Sequence, residues 1–189
     1  MLDSLKIFTS RFCELSDNEL EELSQIFKPT PIKRLDHLTT EGNNLNEIFF
    51  IAEGIFRGYH LKDGVEYTTN FYFSPSIITD LIAIRSKEPT VLNIQALKNA
   101  DCYTADFNEL ESLINQHVNI QILFYKLIEH LFIVKTKRER SFIHNSPEER
   151  YIKLFSERPK VIAEMPLQYI ASYIGIKPET LSRIRKKMR

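Results

Sequence analysis

The sequence predicts an α+β chain: an N-terminal β-roll, one long helix and a C-terminal helix-turn-helix. Three observations support this. Short runs of β-branched and aromatic residues fill positions 32–107, helical periodicity extends from Val118 to Ile143, and positions 166–189 read PLQYIASYIGIKPETLSRIRKKMR. The 189 residues, 43% of them hydrophobic, can form either one ordinary domain or a domain plus a small second one, with a packed core.

Charge is neutral over the whole chain but uneven along it. The 25 Lys and Arg residues balance 25 Asp and Glu residues. From Lys177 to Arg189, however, six basic residues accompany the single acid Glu179. A nucleic acid would respond to this local excess. A membrane-surface helix is not expected, because the apolar residues of this segment are needed inside the helix-turn-helix.

Cysteine usage and hydropathy indicate the cellular setting. Cys13 and Cys102 are far apart and form no CxxC pair, so we expect no disulfide framework, structural zinc or four-cysteine iron–sulfur cluster. The segment after Met1 lacks the features of a signal peptide, and no apolar run reaches the length that spans a bilayer. We therefore expect a cytoplasmic protein with no membrane partner.

A helix is predicted near the N-terminus. Ser16 and Glu19 fit a capping box, in which each side chain satisfies the other residue's backbone N–H. Leu20 and Leu23 continue an apolar stripe at helical spacing, and the prolines in KPTP end the helix.

The roll is predicted from strand-like runs such as NEIFFIAEG, IFRGYHL and VEYTTNFYF. Asp63-Gly64 lies between two of these runs and is a strong signal for a two-residue hairpin. Many short antiparallel strands joined by turns predict a sandwich or barrel-like roll.

The long helix carries two apolar faces. About 26 residues at 1.5 Å each would span roughly 39 Å. A coiled-coil seam is predicted at 3–4 spacing by Phe124, Leu127, Leu131 and Val134. A second apolar face is formed by Ile122, Tyr125, Ile128 and Phe132. The roll can cover one face and a second copy of the helix the other, so we expect a homodimer; the alternative is a core helix within a monomer.

The far end of this helix, KTKRER, is expected to be solvated, and a break follows it. Ser146 begins a new helix as cap, with Pro147 in the first turn. The predicted segments are 1–117 for the roll with its N-terminal helix, 118–145 for the long helix and 146–189 for the helix-turn-helix.

Three helices are predicted after the break, from EERYIKLFSERP, PLQYIASYI and PETLSRIRKKM. The last two are joined so closely that they must cross steeply, with a glycine in the turn and small or apolar residues at the crossing. The predicted core of this helix-turn-helix comprises Ile170, Ala171, Ile174, Gly175, Ile176, Leu181 and Ile184.

The last helix presents a polar and basic face. Glu179 and Arg183 are four residues apart, which in the absence of DNA fits a surface ion pair. In a major groove, Arg183 would bond guanine O6 and N7 while Glu179 accepts from cytosine N4. Contacts to the DNA backbone are expected from Lys177, Thr180, Ser182, Arg185, Lys186 and Lys187.

The order of roll, long helix and helix-turn-helix resembles the Crp/Fnr transcription regulators. The resemblance covers nearly the whole chain. It is sharpest at PEERYIKLF, PLQYIASYIGI and PETLSRIRK, which resemble the branch common in Bacteroidetes-type bacteria. It implies a cyclic-nucleotide-binding-like, cupin-type jelly roll (a double-stranded β-helix), a dimer on a palindromic operator, and RNA polymerase as a further partner. In the family pattern ETxxRxxK, Glu179 and Arg183 are the base readers.

The roll departs from the family members that bind cyclic AMP. Asp80 stands near their acidic position, but Thr79 replaces a glycine and Thr90-Val91 replaces the Arg-Ser pair that holds the phosphate. We therefore do not expect cyclic AMP to bind in the usual manner, and the small-molecule effector is unidentified. The candidate effector pocket comprises Asp80, Leu81, Arg85, Thr90 and Val91, with an apolar pocket between the roll and the long helix as a further candidate. Many family members continue into a β-wing after the recognition helix, whereas this sequence stops at Arg189, so either the wing is dispensable or the sequence is truncated.

No catalytic motif accompanies this pattern. The five histidines show no metal spacing, and GxSxG, P-loop and GxGxxG motifs do not occur. We expect a sequence-specific, dimeric DNA-binding regulator and no enzyme. The alternative is a ligand-binding or protein-interaction module of the same fold with no role on DNA.

Overall fold

The computed structural model describes residues Met1–Met188, and Arg189 lies outside the described residues. The helices are α1 (Leu2–Thr9), α2 (Asp17–Gln25), α3 (Leu81–Ser86), α4 (Phe107–Gln116), α5 (Val118–His144), α6 (Pro147–Glu157), α7 (Pro159–Glu164), α8 (Leu167–Ile174) and α9 (Pro178–Lys187). The strands are β1 (Lys28–Pro29), β2 (His37–Thr39), β3 (Glu47–Glu53), β4 (Ile55–Lys62), β5 (Val65–Phe73), β6 (Ser76–Ile78), β7 (Asn93–Ala96) and β8 (Asp101–Asp106).

Helix α2 begins with the capping box that the sequence predicts. The Ser16 side chain accepts from the Glu19 amide, and the Ser16 amide donates to the Glu19 carboxylate at 2.9 Å. This backbone hydrogen bond holds the pKa of Glu19 below its ordinary value. The prediction is confirmed because a capping box depends only on residues close in sequence.

The strands form the predicted roll as two four-stranded sheets, in the orders β1-β8-β3-β6 and β2-β7-β4-β5. Central neighbours come from distant parts of the chain: β3 pairs antiparallel with β8, placing Ile48 opposite Ala105. Asp63 and Gly64 connect β4 to β5 and both have positive φ, 52° and 76°. This is the backbone of a two-residue hairpin with a primed turn, so the hairpin prediction is confirmed.

The core of the roll draws on both sheets and on the helices beside them. Phe50, Ile51 and Ile94 are fully buried in one cluster with Phe107. Burying a side chain of this size contributes about 1.5–3 kcal/mol. Ile48–Ile51 in β3 are buried on both faces of the strand, so this strand has no polar alternation.

Helix α5 uses its two apolar faces differently from the predicted seam. Leu127 is 7% exposed and belongs to the core of the roll, and Phe124 is packed against that core. Leu127 is therefore not available to a partner, which corrects its place in the seam, whereas Phe124 is half-buried. Leu131 and Val134 lie further along the helix and are exposed.

The second apolar face of α5 is exposed at each of its residues, whereas the predicted seam is exposed only at Leu131 and Val134. Its exposed side chains, which we call the open face, are Val118, Ile122, Tyr125, Ile128 and Phe132. Tyr125 is 65% exposed and Phe132 69% exposed. Apolar side chains are rarely exposed to water along a whole helix face. We therefore expect the open face to pack against another protein surface.

The described residues form two compact units. The first, the roll unit, comprises 1–58 and 71–131; the second, the helical unit, comprises 59–70 and 132–189, of which the structure describes residues up to 188. These units divide the chain at different points from the predicted segments 1–117, 118–145 and 146–189. The tip of the β4–β5 hairpin groups with the C-terminal helices because it is hydrogen-bonded to α8.

The helical unit contains one helix more than the sequence predicts. The segment EERYIKLFSERP was expected to be a single helix, but α6 ends at Glu157 and α7 begins at Pro159. Arg158 between them has φ −136° and ψ 62°. Proline lacks the N–H that continues a helix and pushes the preceding residue out of the helical region, which explains the break.

Helix α6 begins as the sequence predicts. Ser146 and Glu149 form a second capping box, with Pro147 in the first turn. Within Met1–Met188, no helix combines the length and the apolar character needed to cross a membrane.

Candidate nucleic-acid interface

The core of the helix-turn-helix lies where the sequence places it. Ile170, Ala171 and Leu181 are fully buried, and Ile174 and Ile184 are nearly so. Ala171 lies in α8 and Leu181 in α9, so a small residue meets a large one where the helices cross. Two predicted members differ, since Ile176 is only half-buried and Gly175 is exposed in the turn.

The turn requires its glycine. Gly175 has φ 73°, a left-handed conformation that side chains disfavour. The N–H of Gly175 donates to Ser172 O at 3.1 Å, and the N–H of Ile176 donates to Ala171 O at 3.0 Å. A Cβ on Gly175 would come within 2.7 Å of the Phe142 ring. Backbone geometry and this close ring together select glycine here.

Helix α9 starts at Pro178, whose fixed φ suits the first helical position, and Lys177 before it is extended. At about 100° per residue, Glu179, Arg183 and Lys186 lie on one face, opposite the buried Leu181 and Ile184. All three of these polar side chains are exposed. We call them the groove face. The base readers predicted from the sequence thus share a surface free of core packing.

The predicted backbone contacts are placed unequally. Lys177 and Lys186 are exposed. Thr180 and Ser182 are half-buried, on the two sides of α9 between its buried face and its exposed face. The remaining two, Arg185 and Lys187, are directed towards α6.

Arg185 and Lys187 contact side chains of α6. Arg185 is half-buried, and its Nε donates to the hydroxyl of the buried Tyr151 at 3.0 Å. Lys187 Nζ forms an ion pair with Glu148 at 3.1 Å, with 72% of the lysine side chain exposed. Arg185 therefore holds α9 against α6, a role that the sequence did not predict, whereas Lys187 still reaches solvent.

The expectation of a solvated end for α5 is wrong at Arg138. This residue of KTKRER is half-buried, and burial lowers the pKa of its guanidinium from the ordinary value. Arg138 Nη2 donates to Tyr173 O at 2.9 Å. The sequence contains no local signal for this contact, because Arg138 and Tyr173 meet only through the tertiary fold.

Two residues of the candidate effector pocket in the roll, Asp80 and Thr90, are engaged in hydrogen bonds within the protein. The Asp80 carboxylate caps α3, accepting from the amides of Ile82 and Ala83 at 3.2 and 3.4 Å. The Thr90 hydroxyl, on a residue only 1% exposed, donates to the other Asp80 oxygen at 2.7 Å. Asp80 and Thr90 thus satisfy each other. Helix α3 itself was not predicted from the sequence.

The other predicted pocket residues do not join this pair in one cavity. Arg85 pairs with Glu111 and lies over the Phe107 ring, 5.0 Å from its centroid. It lines an open groove of about 760 Å³ beside α3 and α4. Val91 is exposed to solvent and Leu81 is half-buried.

The apolar pocket expected between the roll and the long helix is nearly filled. A cavity of about 20 Å³ lies there, lined by Phe27, Ile48, Leu110, Ile120 and Leu123 among others. This volume holds about one water molecule. The aromatic and aliphatic residues of the strands are used as core.

Comparisons with known proteins agree with this architecture. No protein-family model matches the chain. A curated relative, the anaerobic regulatory protein of Haemophilus influenzae, is 24% identical over 184 residues, which cover 90% of this chain and 70% of the relative.

Solved structures match in fold over most of the chain. A variant of CooA from Carboxydothermus hydrogenoformans is 13% identical with a TM-score of 0.73, covering 87% of this chain and 77% of CooA. A transcriptional regulator of the Crp/Fnr family from Eubacterium rectale is 15% identical with a TM-score of 0.69, covering 92% of this chain and 83% of that regulator. The roll, the long helix and the C-terminal helices are thus found together in other proteins.

Proposed function

We propose that the chain is a dimeric, sequence-specific DNA-binding regulator acting in the bacterial cytoplasm. Its fold is the one found in the Crp/Fnr transcription regulators. The observation that carries this proposal is the groove face of α9. Glu179, Arg183 and Lys186 are exposed together on the side of the helix opposite its core. An arginine fork and a carboxylate at this spacing suit a guanine and a neighbouring cytosine in the major groove.

The proposed reading mode assigns separate roles to the polar residues of α9. Arg183 and Glu179 read base edges. Lys177, Lys186 and Lys187 contact phosphates, and their charge makes the affinity depend on salt. Arg185 acts indirectly, since its bond to Tyr151 holds α9 on α6.

The proposed dimer forms through the open face of α5. Tyr125 and Phe132 are seven residues apart, the repeat at which two helices can pack side by side. A second copy of the same helix would cover both side chains. Two recognition helices related by this symmetry would read a palindrome with half-sites about one helical turn apart.

Selection of bound fragments from a random pool of double-stranded DNA tests the function. We expect an enriched palindrome whose half-sites lie about 10 base pairs apart, centre to centre. The selection is run with and without a small-molecule extract of the cell, in case an effector is needed. Recovery of no palindrome under either condition would contradict the proposal and favour an interaction module without a role on DNA.

We also propose that the roll does not take cyclic AMP. The support is the bond from the Thr90 hydroxyl to Asp80, together with the capping of α3 by the same carboxylate. These groups occupy the position at which an incoming phosphate would need donors, and the carboxylate would repel it.

Titration calorimetry with cyclic AMP checks this expectation. We expect no heat of binding at millimolar nucleotide, for the wild type and for Thr90→Arg alike, because Asp80 still caps α3 in the variant. Saturable binding by the wild type would show that Asp80 and Thr90 separate to admit the nucleotide, contrary to the proposal.

A further inference from the structure

Three arginines and two aromatic rings alternate inside the helical unit. The guanidinium of Arg138 lies 4.7 Å from the ring centroid of Phe142 and 4.8 Å from that of Tyr173. Arg150 lies 4.7 Å from Phe142, and Arg158 lies 5.9 Å from Tyr173. The resulting order is Arg150, Phe142, Arg138, Tyr173, Arg158, which we call the arginine ladder. Guanidinium groups are attracted to aromatic rings at these distances.

The ladder binds the carboxyl end of α8. Arg138 Nη2 donates to Tyr173 O and Arg150 Nε donates to Ile174 O, both at 2.9 Å. The last carbonyls of a helix have no partner within the helix, and they form the negative end of its dipole. Two cations therefore hold the residues that immediately precede the turn of the helix-turn-helix.

The same end of α8 is tied to the β4–β5 hairpin. The Ser172 hydroxyl accepts from the Thr68 amide and donates to Glu66 O, both at 2.9 Å. Arg138 Nη2 also reaches Thr68 O at 3.4 Å. Three groups thus converge on α8: the hairpin tip, the end of α5 through Arg138, and the start of α6 through Arg150.

The charge at the centre of the ladder is costly to bury. Burial lowers the pKa of Arg138, and its Nε is buried without a hydrogen-bond partner among the described residues. Apolar side chains often replace buried charges without loss of stability, so stability alone does not explain an arginine here. Arg138 donates hydrogen bonds to Tyr173 O and Thr68 O. These directional bonds fix the orientation of α8, which an apolar side chain would not do.

We propose that the arginine ladder sets the direction in which the recognition helix α9 projects from the end of α5, so that Arg138 and Arg150 are positioning residues for base reading. This inference rests on the proposed function. Helices α8 and α9 share one core, so holding α8 also holds α9. In the proposed dimer, the ladder would set the direction of each recognition helix relative to the end of its own α5.

Operators of altered spacing test the positioning role. One base pair inserted between the half-sites turns them by about 35° relative to each other. The wild type is expected to lose affinity sharply on such an insertion. Arg138→Met is expected to bind the unaltered operator about tenfold or more weakly and to depend far less on spacing, because α9 is no longer held in one direction.

Arg140→Met is the matched control. It removes the same charge two residues along α5, from an exposed side chain outside the ladder, and should keep the wild-type dependence on spacing. An equal response of the two variants, or a sharp spacing dependence in Arg138→Met, would overturn the positioning role.

Hydrogen exchange tests the ladder without DNA. The amides of Thr68 and Ile176, which bond Ser172 Oγ and Ala171 O, are expected to exchange about tenfold or more faster in Arg138→Met than in Arg140→Met. Unchanged exchange would show that the ladder restrains nothing. If exchange is faster in Arg138→Met but the dependence on operator spacing is unchanged, the arginine ladder stabilises the fold without positioning α9.

Failure of the proposed function and failure of the variant to fold can each be distinguished from failure of the positioning role. If the wild type selects no operator, the proposed function and the positioning role fail together, while exchange still decides whether the ladder restrains α8. If Arg138→Met does not fold, Arg150→Met replaces it in both experiments with the same expectations. That variant removes only the bonds to Ile174 O and Asn145 O and the contact with Phe142.

Discussion

Replacing Arg183 by alanine is expected to weaken binding to the selected operator by about tenfold to a hundredfold. A bidentate arginine–guanine pair contributes about 1–3 kcal/mol of discrimination, and each 1.4 kcal/mol or so is a factor of ten in affinity. Arg183 is exposed on the groove face, so its loss should leave the fold intact. Mobility shift with the operator and with a scrambled duplex measures the effect.

Two further variants separate base reading from general attraction to DNA. Arg183→Lys keeps the charge but lacks the planar fork, so we expect it to lose sequence discrimination while keeping most of its dependence on salt. Lys160→Ala removes one exposed cation from α7, which is not part of the groove face, and should preserve the preference for the operator. If Arg183→Ala still prefers the operator as strongly as the wild type does, α9 is not read as proposed.

Phe132→Glu is expected to convert the proposed dimer into a monomer, with the mass in sedimentation falling from twice 22.2 kDa to 22.2 kDa. Phe132 is 69% exposed and is the last side chain of the open face of α5. In a symmetric dimer the substitution would place a carboxylate from each copy in an apolar contact, where neither has a partner. Binding to the palindrome should weaken with it, since the two half-sites would no longer be bound by one assembly.

Val134→Glu is the matched control for the dimer. Val134 lies two residues further along α5, on nearly the opposite face at about 200° of rotation. It belongs to the seam predicted from the sequence and is 37% exposed. We expect Val134→Glu to remain dimeric. The reverse result, a dimeric Phe132→Glu and a monomeric Val134→Glu, would place the interface on the face that carries Leu131 and Val134.

The sequence was most informative where structure depends on neighbouring residues. Ser16 with Glu19 and Ser146 with Glu149 predict helix starts because a capping box closes within one turn. Asp63-Gly64 predicts a hairpin because the backbone of a two-residue turn admits few residues. The spacing of Ala171, Gly175 and Leu181 predicts the helix-turn-helix for the same reason, since the crossing lies within a short stretch of chain.

Predictions from periodicity missed two places where a single residue ends or begins a helix. Pro159 divides a segment that looked like one helix, and Asp80 starts a short helix in a region of strands. Both signals, a proline and a capping carboxylate, are visible in the sequence. They are outweighed there by the periodicity of the residues around them.

By itself, then, the sequence determined the roll, the long helix and the groove face of α9, because each follows from periodicity or turn chemistry. Only the tertiary structure decided which face of α5 is open, that Asp80 and Thr90 satisfy each other, and that Arg138 lies between two rings rather than in water. The physical reason is common to all three. Burial and hydrogen-bond partners are set by residues far away in the chain, and a pattern of neighbours does not contain that information.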